Sequence, residues 1–409
     1  MHIVIVGNGI TGVTAARMVR KRSDHAITIV SGESDYHYAR TALMYIYMGD
    51  LRYEDTKPYP DDFWSRNRIQ LVRDHATRVD AEAQELHLAS GERIRYDRLL
   101  LATGSKPNRF GWPGEHAAGV QGLYSLDDLT RMAASTVDVE HAAVVGGGLI
   151  GVEMAEMLAS RGIHTTFLVR EQRYMDYIFC PQESEVVEQA IRAHDVDLEL
   201  GAELESIHTG DGHRAESVRM KDGRTLPAGF VGLAVGVSPR TDLAEASGLE
   251  TGRGIFVDRS FQTSAPHVFA AGDCAEFRDP LPGRKAVEQL WYTGRSHGRQ
   301  VAAGLLGEPA AYRPPLFFNS AKFFDLEYQT YGVIGPDEPE QHIISDGHRL
   351  VRIASSRGVV KGVNGLGVRL RQNVWSHWLR TRARLDEVLA DFDRCLFDPE
   401  FSQALKVTA

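Results

Sequence analysis

The chain has 409 residues, of which 43% are hydrophobic and 25% are charged, and its formal net charge is −9. This length is too great for one hydrophobic core, so the composition indicates a globular protein of two or three domains. The acidic balance, without a long basic run, argues against nucleic acid as a partner.

The cysteines Cys180, Cys274 and Cys395 are scattered without C-x-x-C spacing, which indicates a reducing compartment and no disulfide framework. The first apolar run begins at His2, which leaves no room for a signal peptide. No apolar run approaches the roughly 20 residues of a membrane-spanning helix. The sequence therefore predicts a cytoplasmic protein.

A repeated pattern organises the chain. The segments HIVIVGNGITGV at 2–13 and AAVVGGGLIGV at 142–152 each join a β-branched run to G-x-G-x-x-G and an Ala-rich helical pattern. Each pattern returns to an apolar strand, AITIV at 26–30 or TTFLV at 165–169. This order predicts two dinucleotide-binding βαβ motifs, in which the glycines allow a tight turn and the helix N-terminus faces a diphosphate.

The residue types after each motif suggest which nucleotide binds. Glu33 stands 21 residues after Gly12 and predicts recognition of the unphosphorylated ribose of FAD or NAD; the alternative is a solvated turn acid. In the second motif, Arg170 stands 19 residues after Gly151, where a guanidinium suits a 2′-phosphate. This favours NADPH over NADH, although the neighbouring Glu171 argues the other way and a solvent-facing arginine is the alternative.

Composition shifts divide the remainder of the chain. The segment GERIRYDRLLLATGSKP closes the first nucleotide-binding region, and the turn-rich WPGEH marks a boundary near 112. From 313 the chain becomes aromatic and strand-rich, with six aromatic residues between Phe317 and Tyr331 that suit either a core or a face over a flavin. We therefore predict an FAD-binding domain from 1–112 and 250–312, an NAD(P)-binding domain at 113–249, and an interface domain at 313–409.

Five motifs occur in order: GNGITG, YDRLLLATGSKP, GGGLIGVE, LAVGVSPRTDL and VDRSFQTSAPHVFAAGDCAE. Over about 1–332 they resemble the FAD-dependent pyridine nucleotide oxidoreductases, the two-dinucleotide flavoproteins. The resemblance implies an α/β fold with two Rossmann-like domains of the glutathione-reductase type and a C-terminal α+β interface domain. It also implies FAD and NADPH (or NADH) as cofactors.

The same resemblance implies roles for individual residues. Asp273 matches an acid that hydrogen-bonds the ribityl chain of FAD. Glu153 matches an acid near the nicotinamide, and Gly236 matches a glycine beside the pyridine nucleotide. Trp291 matches the start of a helix that approaches the flavin. The predicted cofactor-binding residues are Gly7, Gly9, Gly12, Glu33, Arg40, Val79, Ala102, Thr103, Gly104, Gly272, Asp273, Trp291, Gly146, Gly148, Gly151, Glu153, Arg170 and Gly236.

The segment YHYARTAL at 36–43 resembles the ferredoxin, rubredoxin and nitrite reductase-like branch, where an Arg-Pro-Pro-Leu-Ser-Lys-type sequence follows the ribose acid. Arg40 and Leu43 match that sequence, whereas Tyr45 replaces its lysine. Arg40 is expected either to hold the FAD diphosphate or to lie in a surface pair. No cysteine precedes Phe179, which excludes the thiol-relay members of the superfamily.

These observations predict an NAD(P)H:acceptor oxidoreductase that transfers hydride to FAD and then electrons to an external acceptor, such as a small ferredoxin-like iron–sulfur protein. No catalytic acid or base and no metal ligand set is predicted. One alternative is a membrane-peripheral quinone reductase or NAD(P)H oxidase, which the amphipathic pattern at 368–389 would suit. The other alternative is a sensor protein that binds FAD and NAD(P)H. The sequence leaves open whether the chain forms a homodimer. The basic run RMVRKR at 17–22 is either a docking patch or a helix C-terminus.

Overall fold

The computed structural model describes residues 1–397, and residues 398–409 of the predicted interface domain lie outside the described residues. The strands are β1 His2–Val6, β2 Ala26–Ser31, β3 Ile69–Arg73, β4 Ala76–Asp80, β5 Glu85–Leu88, β6 Arg93–Arg95, β7 Arg98–Leu101, β8 Ser105–Pro107, β9 Val120–Gln121, β10 His141–Val145, β11 His164–Val169, β12 Val196–Leu200, β13 Leu204–Thr209, β14 Ala215–Met220, β15 Thr225–Pro227, β16 Phe230–Leu233, β17 Val237–Pro239, β18 Ile255–Val257, β19 Val268–Ala270, β20 Ala275–Phe277, β21 Phe318–Phe323, β22 Leu326–Gly332, β23 Glu340–Ser345, β24 Leu350–Ser356 and β25 Val359–Leu366. The helices are α1 Ile10–Arg22, α2 Leu43–Met48, α3 Phe63–Arg66, α4 Leu126–Ser135, α5 Leu149–Ser160, α6 Pro181–Arg192, α7 Asp242–Ala246, α8 Trp291–Leu305, α9 Gln372–Thr381 and α10 Leu385–Ala390.

The contacts divide the chain into two compact units. Unit 1 comprises residues 1–108, 124–131 and 237–315. Unit 2 comprises 109–123, 132–236 and the chain from 316 onward. The predicted domain boundaries at 112, 249 and 312 stay predictions.

Unit 1 is built on a five-stranded sheet of order β19-β7-β1-β2-β3, in which every neighbouring pair is parallel. Ile3, Val4 and Ile5 of β1 are fully buried, as expected of a central parallel strand that is covered on both faces. Helix α1 connects β1 to β2 and packs against α8. A small antiparallel sheet, β4-β5-β6, and the pairs β8-β17 and β18-β20 complete the unit.

Unit 2 repeats the parallel arrangement with the order β12-β11-β10-β16-β9. A three-stranded antiparallel sheet, β13-β14-β15, follows α6 and β12 in the chain. The C-terminal part of the unit is a five-stranded antiparallel sheet of order β21-β22-β25-β24-β23, followed by α9 and α10. Two parallel sheets, each opened by a glycine-containing βαβ motif, are the arrangement that the sequence predicts.

Helix α9 carries the apolar face that suggested a membrane surface. Trp375 is fully buried, and Val374 and Trp378 are nearly so, in the core that α9 shares with the C-terminal sheet. The apolar face is therefore covered by the protein itself. Among residues 1–397, no helix combines the length and the apolar composition needed to cross a bilayer.

The aromatic residues between 317 and 331 divide by burial. Phe323, Phe324, Tyr328 and Tyr331 are all at most 3% exposed and lie in the interior of unit 2. The Phe323 and Tyr328 rings both meet Phe179 edge-on, with ring centroids 5.9 and 5.2 Å away. For these four residues the core interpretation is correct.

One fully buried ion pair joins the C-terminal sheet to α6 within unit 2. Arg352 Nη2 of β24 lies 2.8 Å from Glu183 Oε2 of α6, and neither side chain is exposed. Arg352 Nη1 also donates to the Gly335 carbonyl at 2.8 Å. Glu183 in turn accepts the backbone N–H of Cys180 at 2.9 Å, which caps the start of α6. The two charges can be buried because each one is the counter-charge of the other.

We expect Arg352→Met to lower the free energy of unfolding by about 3–5 kcal/mol, because it leaves the Glu183 carboxylate buried without its counter-charge. Chemical denaturation followed by tryptophan fluorescence measures the change. The matched control is Arg219→Met, which removes an exposed pair with Glu205 at 2.8 Å and should cost about 0–1 kcal/mol. Equal losses in the two variants would contradict this account.

Candidate functional site

The first glycine turn joins β1 to α1 in unit 1 and is closed by backbone contacts. Gly7 has a φ of +111°, and its N–H donates to the Val30 carbonyl at 2.8 Å. A β-carbon on Gly7 would lie 2.2 Å from the Ala102 carbonyl oxygen, and one on Gly12 would lie 2.1 Å from the Gly7 carbonyl oxygen. Only glycine fits at these two positions, because both contacts are with backbone that cannot move aside.

The start of α1 faces open space. A β-carbon on Gly9 would meet no other atom of the described chain within 4 Å. The first turn of α1 contains no acidic residue, and Gly9 has no side chain with which to cap it. The first N–H groups of the helix are thus available to an anionic ligand, which their dipoles favour. This cradle fits a dinucleotide diphosphate.

Glu33 lies at the end of β2 in a half-buried cluster. Arg40 binds its carboxylate with two hydrogen bonds, Nη1 to Oε1 at 3.0 Å and Nη2 to Oε2 at 2.7 Å. The Tyr38 hydroxyl and the Leu126 backbone N–H, the latter at 3.1 Å, donate to the same carboxylate. Burial would raise the pKa of Glu33, but Arg40 and Tyr38 together hold it below the ordinary value.

Arg40 is thus paired with Glu33 in a part-buried position, and its predicted contact with the FAD diphosphate stays a prediction. Its guanidinium also donates to the Tyr124 carbonyl and lies 5.3 Å from the Tyr38 ring centroid and 4.7 Å from that of Tyr124. The aromatic stretch at 36–51 is helical in part, since α2 covers Leu43–Met48. Tyr38 of this stretch contacts the acid, whereas His37 Nδ1 lies 2.8 Å from the Asn8 carbonyl oxygen. The role of the stretch toward the flavin stays a prediction.

Ala102, Thr103 and Gly104 follow β7 directly beside the first turn. The Ala102 N–H donates to the Val6 carbonyl at 2.8 Å. Thr103 Oγ1 donates to the Arg240 carbonyl at 2.8 Å. A β-carbon on Gly104, whose φ is +73°, would lie 2.6 Å from the Tyr124 hydroxyl. The ATG segment is therefore fixed next to the glycine turn, as its predicted role near FAD requires.

Asp273 follows Gly272 at the end of β19, the strand next to β7 in the sheet. Among the described residues, Ser105 donates to this carboxylate, with 3.4 Å between Oγ and Oδ2. Burial raises the pKa of Asp273 to about 6, against a lowering by Ser105 and Arg40. A carboxylate with one long hydrogen bond keeps lone pairs for further donors, which fits the hydroxyls of a ribityl chain.

Val79 and Trp291 are the two other predicted residues of unit 1. Val79 is buried in β4, and its N–H donates to Ser247 Oγ at 2.8 Å. Trp291 begins α8, with the Arg295 guanidinium 5.7 Å from its ring centroid. The His75 ring lies against Gly32 beside Glu33, since a β-carbon on Gly32 would be 2.2 Å from this ring. No local sequence signal marks His75, because the contact joins separate strands.

The second glycine turn, in unit 2, has the geometry of the first. Gly146 has a φ of +114°, and a β-carbon there would lie 2.4 Å from the Ala234 carbonyl oxygen. A β-carbon on Gly151 would lie 2.0 Å from the Gly146 carbonyl oxygen, whereas one on Gly148 would meet nothing within 4 Å in the described chain. Gly236, with a φ of +89°, follows two residues after Ala234. The second turn is thus a second cradle for a diphosphate.

The polar residues around the second turn differ from those around the first. Arg170 follows β11, is 73% exposed, and pairs with Glu171 at 2.9 Å. Glu153 is half-buried in α5; burial and the charge of Glu156 raise its pKa to about 7, against a lowering by Lys322. Lys322 Nζ donates to Glu156 Oε1 at 2.7 Å. The predicted place of Glu153 beside the nicotinamide stays a prediction.

The fold and its two glycine turns define a class, the enzymes that bind two dinucleotides in tandem Rossmann-like domains. The family model described as pyridine nucleotide-disulphide oxidoreductase matches residues 1–298. The chain belongs to this family.

Known relatives agree in length and fold. The chain is 30% identical over 334 residues to the ferredoxin reductase subunit of a 5,5'-dehydrodivanillate O-demethylase from Sphingobium sp., covering 81% of each chain. It is 29% identical over 331 residues to rubredoxin-NAD(+) reductase from Pseudomonas putida, covering 80% of this chain and 86% of the relative. The crystal structure of a ferredoxin reductase from Rhodopseudomonas palustris matches with a TM-score of 0.82 and 26% identity, over 90% of this chain and 91% of that one.

The predicted class and cofactors are therefore confirmed: the chain is an FAD-dependent NAD(P)H oxidoreductase. The two cradles and the under-bonded Asp273 carboxylate fit the phosphate and hydroxyl groups of these dinucleotides, whereas the predicted contact of Glu33 with a ribose stays a prediction. The predicted α/β fold with two Rossmann-like parts is confirmed as well.

Gly12 and Gly151 occupy equivalent positions in the two turns, so substituting each one tests which cofactor its cradle binds. We expect Gly12→Ala to yield protein largely without FAD, because its β-carbon collides with the Gly7 carbonyl. We expect Gly151→Ala to keep FAD but to raise the KM for NAD(P)H by about tenfold or more, the equivalent of about 1.4 kcal/mol. The flavin absorbance per chain and steady-state kinetics measure the two effects. Loss of FAD in Gly151→Ala, or its retention in Gly12→Ala, would contradict the assignment.

Proposed function

We propose that this enzyme oxidises NAD(P)H and delivers the electrons, one at a time, to a small iron–sulfur protein of the ferredoxin or rubredoxin type. Relatives that align over most of both chains carry the names of ferredoxin and rubredoxin reductases. The proposal places the protein in the cytoplasm, where NAD(P)H is supplied and where its three buried, free cysteines would stay reduced.

The observation that carries the proposal is the chemistry of the segment after Glu33. Disulfide-using relatives keep redox cysteines there, whereas residues 36–51 contain none. Cys180, Cys274 and Cys395 are all free and buried, and burial raises the thiol pKa of each. Because the thiolate is the reactive form, these thiols are poorly suited to relay electrons. The electrons then leave the flavin directly for an external acceptor.

In this proposal the protein chiefly binds and orients the cofactors. When bound, FAD supplies the chemistry that accepts a hydride and releases electrons singly or in pairs. The Gly9 cradle and the start of α1 hold its diphosphate, Glu33 its adenosine ribose, and Asp273 its ribityl hydroxyls. The Gly148 cradle holds the diphosphate of the pyridine nucleotide. No side chain needs to act as a general acid or base for a hydride transfer between two stacked rings.

The basic run RMVRKR is better explained as a helix C-terminus than as a docking patch. Arg20 donates to the carbonyls of Ser23, His25 and Arg68, and Arg22 pairs with Glu308 at 2.6 Å. Both cations are therefore engaged within unit 1, near the end of a helix whose dipole favours positive charge.

The acceptor is tested by anaerobic stopped-flow reduction of the enzyme with NADPH or NADH, followed by mixing with defined acceptors. We expect a [2Fe–2S] ferredoxin or a rubredoxin to reoxidise the flavin faster than a soluble quinone or dioxygen, because the relatives that align over most of both chains are named as reductases of such proteins. Fastest reoxidation by the quinone would support a quinone reductase instead. A long-wavelength absorbance band that persists with every acceptor would support the sensor alternative.

We also propose NADPH as the preferred donor, because the Arg170 guanidinium is 73% exposed at the end of β11, where it pairs with its neighbour Glu171. We expect Arg170→Ala to lower kcat/KM for NADPH by about tenfold or more through the loss of a charge-assisted contact. The value for NADH should be unchanged. Arg192→Ala, which removes a surface pair with Glu188, is the control. A wild-type preference for NADH would overturn this proposal.

A further inference from the structure

In unit 1, helix α1 and helix α8 meet the loop that carries Asp273. Thr11 of α1 donates through Oγ1 to the Gly294 carbonyl of α8 at 3.0 Å. A β-carbon on Gly298 of α8 would lie 2.4 Å from the Thr11 carbonyl oxygen, and one on Gly272 would lie 2.5 Å from Thr11 Oγ1. The loop, the start of α1 and α8 are therefore in van der Waals contact, and a shift in one displaces the others.

His297 makes the polar contact at this junction. It lies on α8, it is fully buried, and its Nδ1 accepts the backbone N–H of Gly272 at 3.2 Å. A backbone N–H can only donate, so Nδ1 carries a lone pair and the ring proton of the neutral imidazole is on Nε2. His297 Nε2 faces Glu288 Oε2 at 3.4 Å.

The surroundings of His297 hold this arrangement in place. The rings of Phe261, Phe277 and Tyr312 contact the imidazole, with ring centroids 5.0, 5.6 and 4.8 Å away. Arg284 Nε donates to Glu288 Oε1 at 2.5 Å, and the Tyr312 hydroxyl donates to Glu288 Oε2 at 3.3 Å. Glu288 is thus fixed from two sides, and it orients the histidine by its charge.

We propose that His297 is a positioning residue for the flavin, which fixes the Gly272–Asp273 loop so that the Asp273 carboxylate meets the cofactor. The inference rests on the proposed contact of Asp273 with the ribityl chain. The Gly272 N–H is buried, and His297 is the acceptor that satisfies it. Gly272 has a φ of +83°, and its buried N–H would be left unpaired if this hydrogen bond were lost. The turn geometry then depends on a side chain that makes no flavin contact in this scheme.

The test measures FAD dissociation and the flavin midpoint potential of the holoenzyme in variants of His297. We expect His297→Leu to raise the dissociation constant by about tenfold, because a buried N–H loses its acceptor. His297→Asn should restore binding to within about threefold, since its Oδ1 is as many bonds from Cα as His297 Nδ1 and can accept the same N–H. If His297→Leu does not fold, His297→Gln replaces it, because its carboxamide oxygen lies one bond further from Cα than Nδ1 does.

A double-mutant cycle with Asp273→Ala separates positioning from general stability. If His297 acts through Asp273, the double variant His297→Leu/Asp273→Ala binds FAD no more weakly than Asp273→Ala alone. Phe277→Leu is the packing control: it should lower the Tm without moving the midpoint potential, because it leaves the hydrogen bond intact.

The outcomes distinguish two failures. Unchanged FAD binding in Asp273→Ala would overturn the proposed cofactor contact itself. Weakened binding in Asp273→Ala, together with additive losses in the double variant or no rescue by His297→Asn, would overturn only the role of His297.

Discussion

Backbone atoms at the first glycine turn approach each other too closely for any side chain, and this constraint organises unit 1. Gly12 packs on the Gly7 carbonyl, and Gly7 on the Ala102 carbonyl. Because these contacts fix α1 relative to β1 and β7, the free N–H groups of α1 point to one place. The third close approach, Gly298 against Thr11, fixes α8 on α1. The position of the loop that carries Asp273 depends on the contacts of α1 with β1 and β7 and on the contact of α8 with α1.

The two cradles share a backbone but differ in the side chains around them. In unit 1 the acid at the end of the second strand is held by Arg40 and Tyr38, so its negative charge is paired within the protein. In unit 2 the equivalent position presents an exposed arginine beside an acid. The backbone geometry that fits a diphosphate is therefore repeated in both units, whereas the side chains beside it differ.

Local patterns predicted the parts that are governed by local physics. The two G-x-G-x-x-G motifs gave the βαβ motifs, since strand, turn and helix follow one another in sequence. The absence of cysteine from residues 36–51 favours direct electron transfer out of the flavin, which is the hypothesis to test. Contacts between distant segments were not predictable in the same way. The Arg352–Glu183 pair joins positions 169 residues apart, and no pattern in either segment indicates it.

The sequence by itself determined the α/β class, the two glycine turns and the use of FAD and NAD(P)H, because each rests on residues adjacent in the chain. The tertiary structure decided which partner each polar side chain takes. It paired Arg40 with Glu33, covered the apolar face of α9 and brought His297 to the Gly272 N–H. The physical reason is that a charge or donor is satisfied by whatever lies within about 3 Å, and that distance is set by packing rather than by order along the chain.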